Sequence, residues 1–254
     1  MRMSVIFAAL LSVASPLQAM TGEELAIQAD ARIRGFHDQS VSLRMELINP
    51  AGERAERMLR VQSLEYPEGE KTLMIFDTPR DLRGSALLSH THPQGDDEQW
   101  LYLPVVKRVK QIGARNKSGP FMASEFAFED IVTPFWQKFT YGNATQVELN
   151  GLACYQFERI SKDSYSAYSR QIVWLDRENL LVRRIDYYDR KNSLLKTYEA
   201  SDFSLHADKH WRPAQMHMRN HQNGKQTRLT WQDFVFAQGL QDADFSQNAL
   251  LRAR

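Results

Sequence analysis

The sequence predicts a mainly β fold: a long antiparallel meander wound into one strongly curved sheet or barrel. Three observations lead there. From Asp38 onward apolar residues recur at every second position, so that Val41, Leu43, Met45 and Leu47 alternate with Ser42, Arg44 and Glu46. Turn signals punctuate the chain at Asn49-Pro50-Ala51-Gly52, Pro67-Glu68-Gly69, Pro93-Gln94-Gly95, Asn150-Gly151, Asp189-Arg190-Lys191-Asn192 and Asn223-Gly224. Several strands are apolar on both faces, as in Leu73-Met74-Ile75-Phe76, Trp100-Leu101-Tyr102-Leu103 and Ile172-Val173-Trp174-Leu175. Such strands need cover on each side, one from helices and the other from the far wall of a barrel, a partner or a ligand.

The elements follow in order. Arg2, an apolar run from Val5 to Val13 and the ending Pro16-Leu17-Gln18-Ala19 have the pattern of a secretory signal peptide over residues 1–19. That run is too short to span a bilayer. Next comes a helix, with Thr21 and Glu24 spaced as a capping box, Leu25, Ala29 and Ile33 on one stripe, and Gly35 placed to end it. Strands are expected near 38–48, 54–66, 70–77, 84–91, 97–103, 105–112, 139–148, 152–160, 168–175, 181–188, 194–206, 211–221 and 226–236. The middle breaks the pattern: Gly113 to Gly119 reads as a flexible basic loop, and 121–131 and 133–138 as short helices, the second capped by Thr133 with Pro134 in its first turn. No linker, repeat or low-complexity tract interrupts 20–254, which reads as one domain.

Composition narrows the functional classes. Of 254 residues 43% are hydrophobic and 25% charged, enough to build a core and against disorder. Without Arg2 the positive and negative side chains balance, which argues against nucleic acid as a partner. Cys154 is the only cysteine, so an exported chain has no internal disulfide; in its strand Cys154 reads as a small buried residue rather than a reactive thiol.

Candidate chemistry is sparse. His90 and His92 share a strand face, while His206/His210 and His217/His221 are spaced by four. Four residues along a strand is about 13 Å, too far for a shared zinc with ligands at about 2 Å, so polar face positions are the default. Glu125 and Glu129, with Asp130 beside them, suit either acid–base work or the solvated side of a helix whose other side carries Phe121, Phe126 and Phe128. No nucleophile elbow, phosphate loop or dinucleotide fingerprint is present, and no cofactor or metal is called for. Lys107, Arg108, Lys110, Arg115 and Lys117 form a basic cluster, read as protection of an edge strand or as a rim for anionic headgroups or an acidic partner.

Three phrases carry a resemblance: Ile75-Phe76-Asp77-Thr78-Pro79 with Arg83-Gly84-Ser85-Ala86-Leu87-Leu88; Trp100-Leu101-Tyr102-Leu103-Pro104 with Lys107-Arg108-Val109; and Ser118-Gly119-Pro120-Phe121-Met122-Ala123-Ser124-Glu125-Phe126 with Glu129-Asp130. In this order they resemble the LolA-like outer-membrane lipoprotein-sorting proteins, within them the subgroup typified by an uncharacterised Treponema protein. The resemblance implies an incomplete, strongly curved antiparallel β-barrel with helices as a lid over an apolar cavity for acyl chains. It also implies a periplasmic chaperone for lipoprotein or lipid transport. Members encoded beside RND-type exporters point to a shuttle that receives cargo from one.

On this reading the cavity wall includes Leu43, Met45, Met74, Phe76, Trp100, Tyr102 and Trp174. Phe121, Met122, Phe126 and Phe128 form the lid, and Lys107, Arg108 and Lys110 meet headgroups or a docking partner. Contact with the membrane is peripheral and no catalytic step is expected. The rival readings are a non-carrier periplasmic accessory protein that binds an exporter or envelope protein, and a hydrolase with polar groups converging near His90, His92 and Glu129.

Overall fold

The computed structural model describes residues 20–252; the expected signal peptide, residues 1–19, lies outside the described residues. The chain opens with α1 (Gly22–Ile33). Its capping box is formed: the Thr21 hydroxyl accepts from the Glu24 amide at 3.2 Å and the Glu24 carboxylate from the Thr21 amide at 2.8 Å. Six strands follow: β1 (Asp38–Ile48), β2 (Arg54–Tyr66), β3 (Gly69–Thr78), β4 (Ala86–Thr91), β5 (Glu98–Leu103) and β6 (Arg108–Gln111). After an irregular stretch come β7 (Phe139–Tyr141), β8 (Thr145–Leu149), β9 (Leu152–Ser161), β10 (Tyr168–Asp176), β11 (Val182–Asp189), β12 (Leu194–His206), β13 (His210–Asn220) and β14 (Gln226–Phe236). A C-terminal helix, α2 (Gln247–Arg252), ends the described chain.

All these strands belong to one antiparallel sheet in the order β6-β5-β4-β3-β2-β1-β14-β13-β12-β11-β10-β9-β7, with β8 pairing β9 beside β7. β6 and β7 are its unpaired ends, so the sheet curves without closing. β1 pairs with β14 in the middle, from Gln39 opposite Phe236 to Ile48 opposite Gln226.

Two expectations are corrected here. The strand expected over 139–148 is split at Gly142: its amide still donates to the Glu158 carbonyl of β9 at 2.9 Å, but its carbonyl turns to α1 and accepts from the Gly22 amide at 3.0 Å. A Cβ on Gly22 would stand 2.7 Å from that oxygen, so only glycine lets the helix start there. The helices expected over 121–131 and 133–138 are single 3-10 turns, Phe121–Ala123 and Trp136–Lys138, within an extended strap. The strap is held by contacts to the sheet rather than by its own helical bonds. Met122 and Ala123 adopt positive φ (48° and 63°), which turns the chain so that it can follow the sheet.

The two-sided strands find cover as their composition requires. On the concave face Leu43, Met45, Leu59, Phe76, Leu87 and Leu229 form the main core with Leu25 of α1. On the convex face Leu73, Ile75, Ala86, Leu88 and Trp100 form a second core under Phe245 and Leu250 of the C-terminal segment. Cys154 is fully buried and burial pushes its thiol up, as suits a packing residue.

Candidate functional site

Between the concave face, α1 and the strap lies a cavity of about 900 Å³, near the upper end of the ~300–1,000 Å³ typical of small-ligand sites. Ala29 and Ile33, from the apolar stripe of α1, form its roof. Val61, Met74, Phe157, Val173 and Trp231 line its floor, and Phe126, Phe128 and Ile131 of the strap close one side.

The strap crosses the mouth of the trough on a series of polar latches. The Glu125 amide donates to Thr227 Oγ1 at 2.9 Å, and Asn220 Nδ2 donates to the Glu125 carboxylate at 2.8 Å. Arg57 donates to the Met122 carbonyl, and Gln99 Nε2 to the Phe128 carbonyl at 3.0 Å. Glu129 accepts from Ser166 Oγ at 2.7 Å and from the Ala167 amide at 2.9 Å. Asp130 accepts from Tyr168 Oη at 2.6 Å and lies 3.9 Å from Lys196 Nζ. The expectation of a solvated helix face for Glu125, Glu129 and Asp130 is therefore corrected: these carboxylates point into the protein. Anchors of this kind replace the helical hydrogen bonds that the strap lacks.

Burial, with Asp130 beside it, pushes the Glu129 carboxyl up to about 7 from its ordinary 4.5. A carboxyl raised in the folded state binds more protons there than in the open chain. Its contribution is full below about 4.5 and is lost as pH rises through about 7. Hydrogen exchange of the strap amides Phe126 to Asp130, corrected for intrinsic rates, is expected to show stronger protection at about pH 5 than at about pH 8. Glu129→Gln should flatten that difference; a slope unchanged in the variant would show that Glu129 does not set it.

The expected wall and lid are placed as follows. Met74, Phe126 and Phe128 reach the cavity. Leu43, Met45 and Phe76 lie on the concave face but are packed out of the cavity, because strap side chains occupy that end of the trough. Phe121 is fully buried, 5.9 Å from the Phe76 ring and 5.6 Å from Phe128, and Met122 packs partly against the same core. Trp100 and Tyr102 are corrected: both sit in the convex core beneath the C-terminal segment. Trp174 is corrected likewise, since its neighbours Val173 and Leu175 point inward and it lies outside under the Arg184 guanidinium, 5.1 Å away. In each case the strand is apolar on both faces, and the residue chosen falls on the outer one. Lys107, Arg108 and Lys110 are exposed at and beyond the β5–β6 turn, beside Val105 and Val106, which are 86% and 55% exposed.

His90 and His92 have structural partners. His90 Nε2 bonds the Phe245 carbonyl at 2.8 Å and its ring meets Trp100 edge-on at 5.0 Å. His92 lies near Tyr66. No group of three or more His, Cys, Asp or Glu among the described residues is arranged to hold a metal ion.

The sequence reading missed the polar side of the cavity. Arg34, Arg159 and Arg212 all line it. Arg34 is held by Asp30 at 2.8 Å and Glu70 at 3.3 Å, and Arg212 donates to Gln39 and to the Ile33 and Trp211 carbonyls. Arg159 donates once, from Nε to Gln171 Oε1 at 2.8 Å. A signal was present: Arg159 and Gln171 fall at inward positions two residues from Phe157 and Val173.

An unclosed curved sheet with a strapped apolar cavity on its concave face defines a LolA-like protein. A family model described as an uncharacterized protein matches residues 68–252. The structure is similar to an outer membrane lipoprotein-sorting protein domain from Vibrio parahaemolyticus, with TM-score 0.88 and 44% identity over 91% of this chain and 98% of that one. It is similar to a DUF1329 family protein from Desulfovibrio piger, with TM-score 0.85 and 30% identity over 90% of this chain and 97% of that one. A LolA superfamily protein from Nitrosomonas europaea shares the fold, with TM-score 0.72 and 19% identity over 91% of this chain and all of that one. Among curated proteins none matches. The chain belongs to the family of LolA-like outer-membrane lipoprotein-sorting proteins.

Proposed function

We propose that this protein is a periplasmic carrier that holds acyl chains of lipids or lipoproteins in the strapped cavity and shuttles them between the envelope membranes. The observation that carries this is the cavity itself: about 900 Å³, mostly apolar, beneath a strap fixed by side-chain latches. Each methylene moved from water into such a site gains about 0.8 kcal/mol. A long acyl chain therefore gains on the order of 10 kcal/mol relative to water, enough to keep it in the cavity while a water-filled compartment is crossed. Residues 1–19 would be removed on export, leaving 20–254 as one domain, and the carrier has no catalytic step. Met74, Phe126 and Phe128 are the wall and lid positions that touch the ligand on this reading; Leu43, Met45, Phe76, Phe121 and Met122 support them from below.

The exposed turn Val105-Val106-Lys107, followed by Arg108 and Lys110 on the edge strand β6, favours a docking role at that corner. An apolar tip with a basic flank suits an acidic partner, such as an RND-type exporter, or anionic headgroups at the membrane surface. The same corner would serve a non-carrier accessory protein, and ligand content separates the two readings. Native mass spectrometry of protein purified from the periplasm without detergent, with lipid extraction alongside, is expected to show retained mass that extracts as an acylated species. A clean apo mass that also refuses added lipid would favour the accessory reading.

A further inference from the structure

The concave face carries a continuous polar rung. Strand pairing places Tyr141 opposite Arg159, Arg159 opposite Gln171, Gln171 opposite Tyr187, Tyr187 opposite Lys196 and Lys196 opposite Asn220. These five pairings cross six strands at one level of a face that is otherwise mostly apolar. The strap's own carboxylates occupy one end of the rung. Asn220 Nδ2 holds Glu125 at 2.8 Å, and Lys196 faces Asp130 at 3.9 Å.

The other end opens to the cavity and has no such occupant. Arg159 is half-buried and lines the cavity. Its guanidinium stands 4.2 Å from the Phe139 ring centroid and makes the one bond to Gln171. Among the described residues no carboxylate lies within ion-pair distance of it. Arg34, on the same cavity, has two such partners. Burial lowers the pKa of the Arg159 guanidinium, but arginine stays charged in proteins. The Arg159 fork keeps its terminal nitrogens free of protein partners among the described residues, and an oxyanion that presents two oxygens, carboxylate or phosphate, matches it.

We propose that Arg159, steadied by Gln171, is the anchor for an anionic head on the acyl ligand, either a carboxylate or a phosphate, with the chain lying over Phe157 and Val173. This rests on the acyl-cavity reading and deepens it: the ligand is an anionic amphiphile, whereas the acyl groups of a lipoprotein are neutral esters and amides. The remaining wall provides the apolar run that such a chain needs.

Delipidated protein is titrated with dodecanoate, dodecyl phosphate and methyl dodecanoate at equal ionic strength, with binding read by calorimetry. Wild type is expected to bind at least one of the two anions tenfold or more tighter than the methyl ester. The anion preferred identifies the head: dodecanoate a fatty acid, dodecyl phosphate a phosphate-headed lipid. Arg159→Gln should abolish the preference of anion over ester, and Arg159→Lys should keep part of it. Equal affinity for acid and ester in wild type, or a preference that survives in folded Arg159→Gln, would overturn the anchor while leaving the acyl cavity standing. Binding of none of the three would overturn both. The wild-type comparison alone decides the matter if the variant fails to fold.

Discussion

Replacing Phe126 and Phe128 together by Asp is expected to empty the cavity and release the strap. Phe126 is 3% and Phe128 9% exposed, and both line the cavity. Phe126 meets Tyr198 edge-on at 6.4 Å, and Phe128 meets Phe121, which in turn rests on Phe76. Deleting one such ring costs about 3–5 kcal/mol, and a carboxylate put in its place adds the cost of an unpaired buried charge. That load falls on the strap, because the sheet strands keep their own ladder. Purified variant should therefore lose retained acyl species in native mass spectrometry while its far-ultraviolet dichroism keeps the β signature. Full retention of ligand by the variant would remove the strap from the binding site.

The second large effect concerns the Asp130–Lys196 pair. Their side chains are 4% and 11% exposed and 3.9 Å apart, and Asp130 also accepts from Tyr168 Oη and from the Ala127 amide. Asp130→Ala leaves Lys196 as a buried cation with no carboxylate within ion-pair distance among the described residues, which costs about 3–5 kcal/mol for a well-formed pair. The long separation places this one near the lower figure. Lys196→Met in the same chain removes the stranded charge, so the double variant should recover much of the loss. Urea unfolding of the two single variants and the double closes the cycle. Strict additivity would show that the carboxylate and the ammonium do not act on one another.

Much of the scaffold was readable before any coordinates. Strands at 38–48, 54–66, 194–206 and 226–236 fall where alternation and turn residues put them, because each has one face in the core and one toward water. The capping box at Thr21 and the stripe through Leu25, Ala29 and Ile33 likewise specify α1 by local chemistry alone. The break at Gly142 was not readable, since its cause is the approach of Gly22 from more than a hundred residues away. The helical reading of the strap fails for a related reason: its hydrogen-bond partners are distant, Thr227, Asn220 and Tyr168 on strands and Ser166 in the loop before β10.

At the site, inward and outward positions decide the matter. Where a strand alternates, parity assigns the faces; where it is apolar on both, as through Trp100 and Trp174, composition gives no choice between them. The rung from Tyr141 to Asn220 is the converse case. Arg159, Gln171, Lys196 and Asn220 break the apolar face within their own strands, but only the register across the sheet shows that these breaks stand in line with Tyr141 and Tyr187.

The pairing of β1 with β14 has a consequence for how the molecule assembles. β1 to β6 and β9 to β14 are each joined to their neighbours by short local turns and can zip in succession, whereas Gln39 meets Phe236 only after nearly the whole chain has been gathered. Contacts of such sequence separation carry the largest loop-closure cost and form slowly. Because that junction lies mid-sheet, neither half alone encloses the trough: Val61 and Met74 come from one half, Phe157 and Val173 from the other. The cavity is thus a product of both halves, and a chain in which β1 and β14 are unpaired has no enclosed interior.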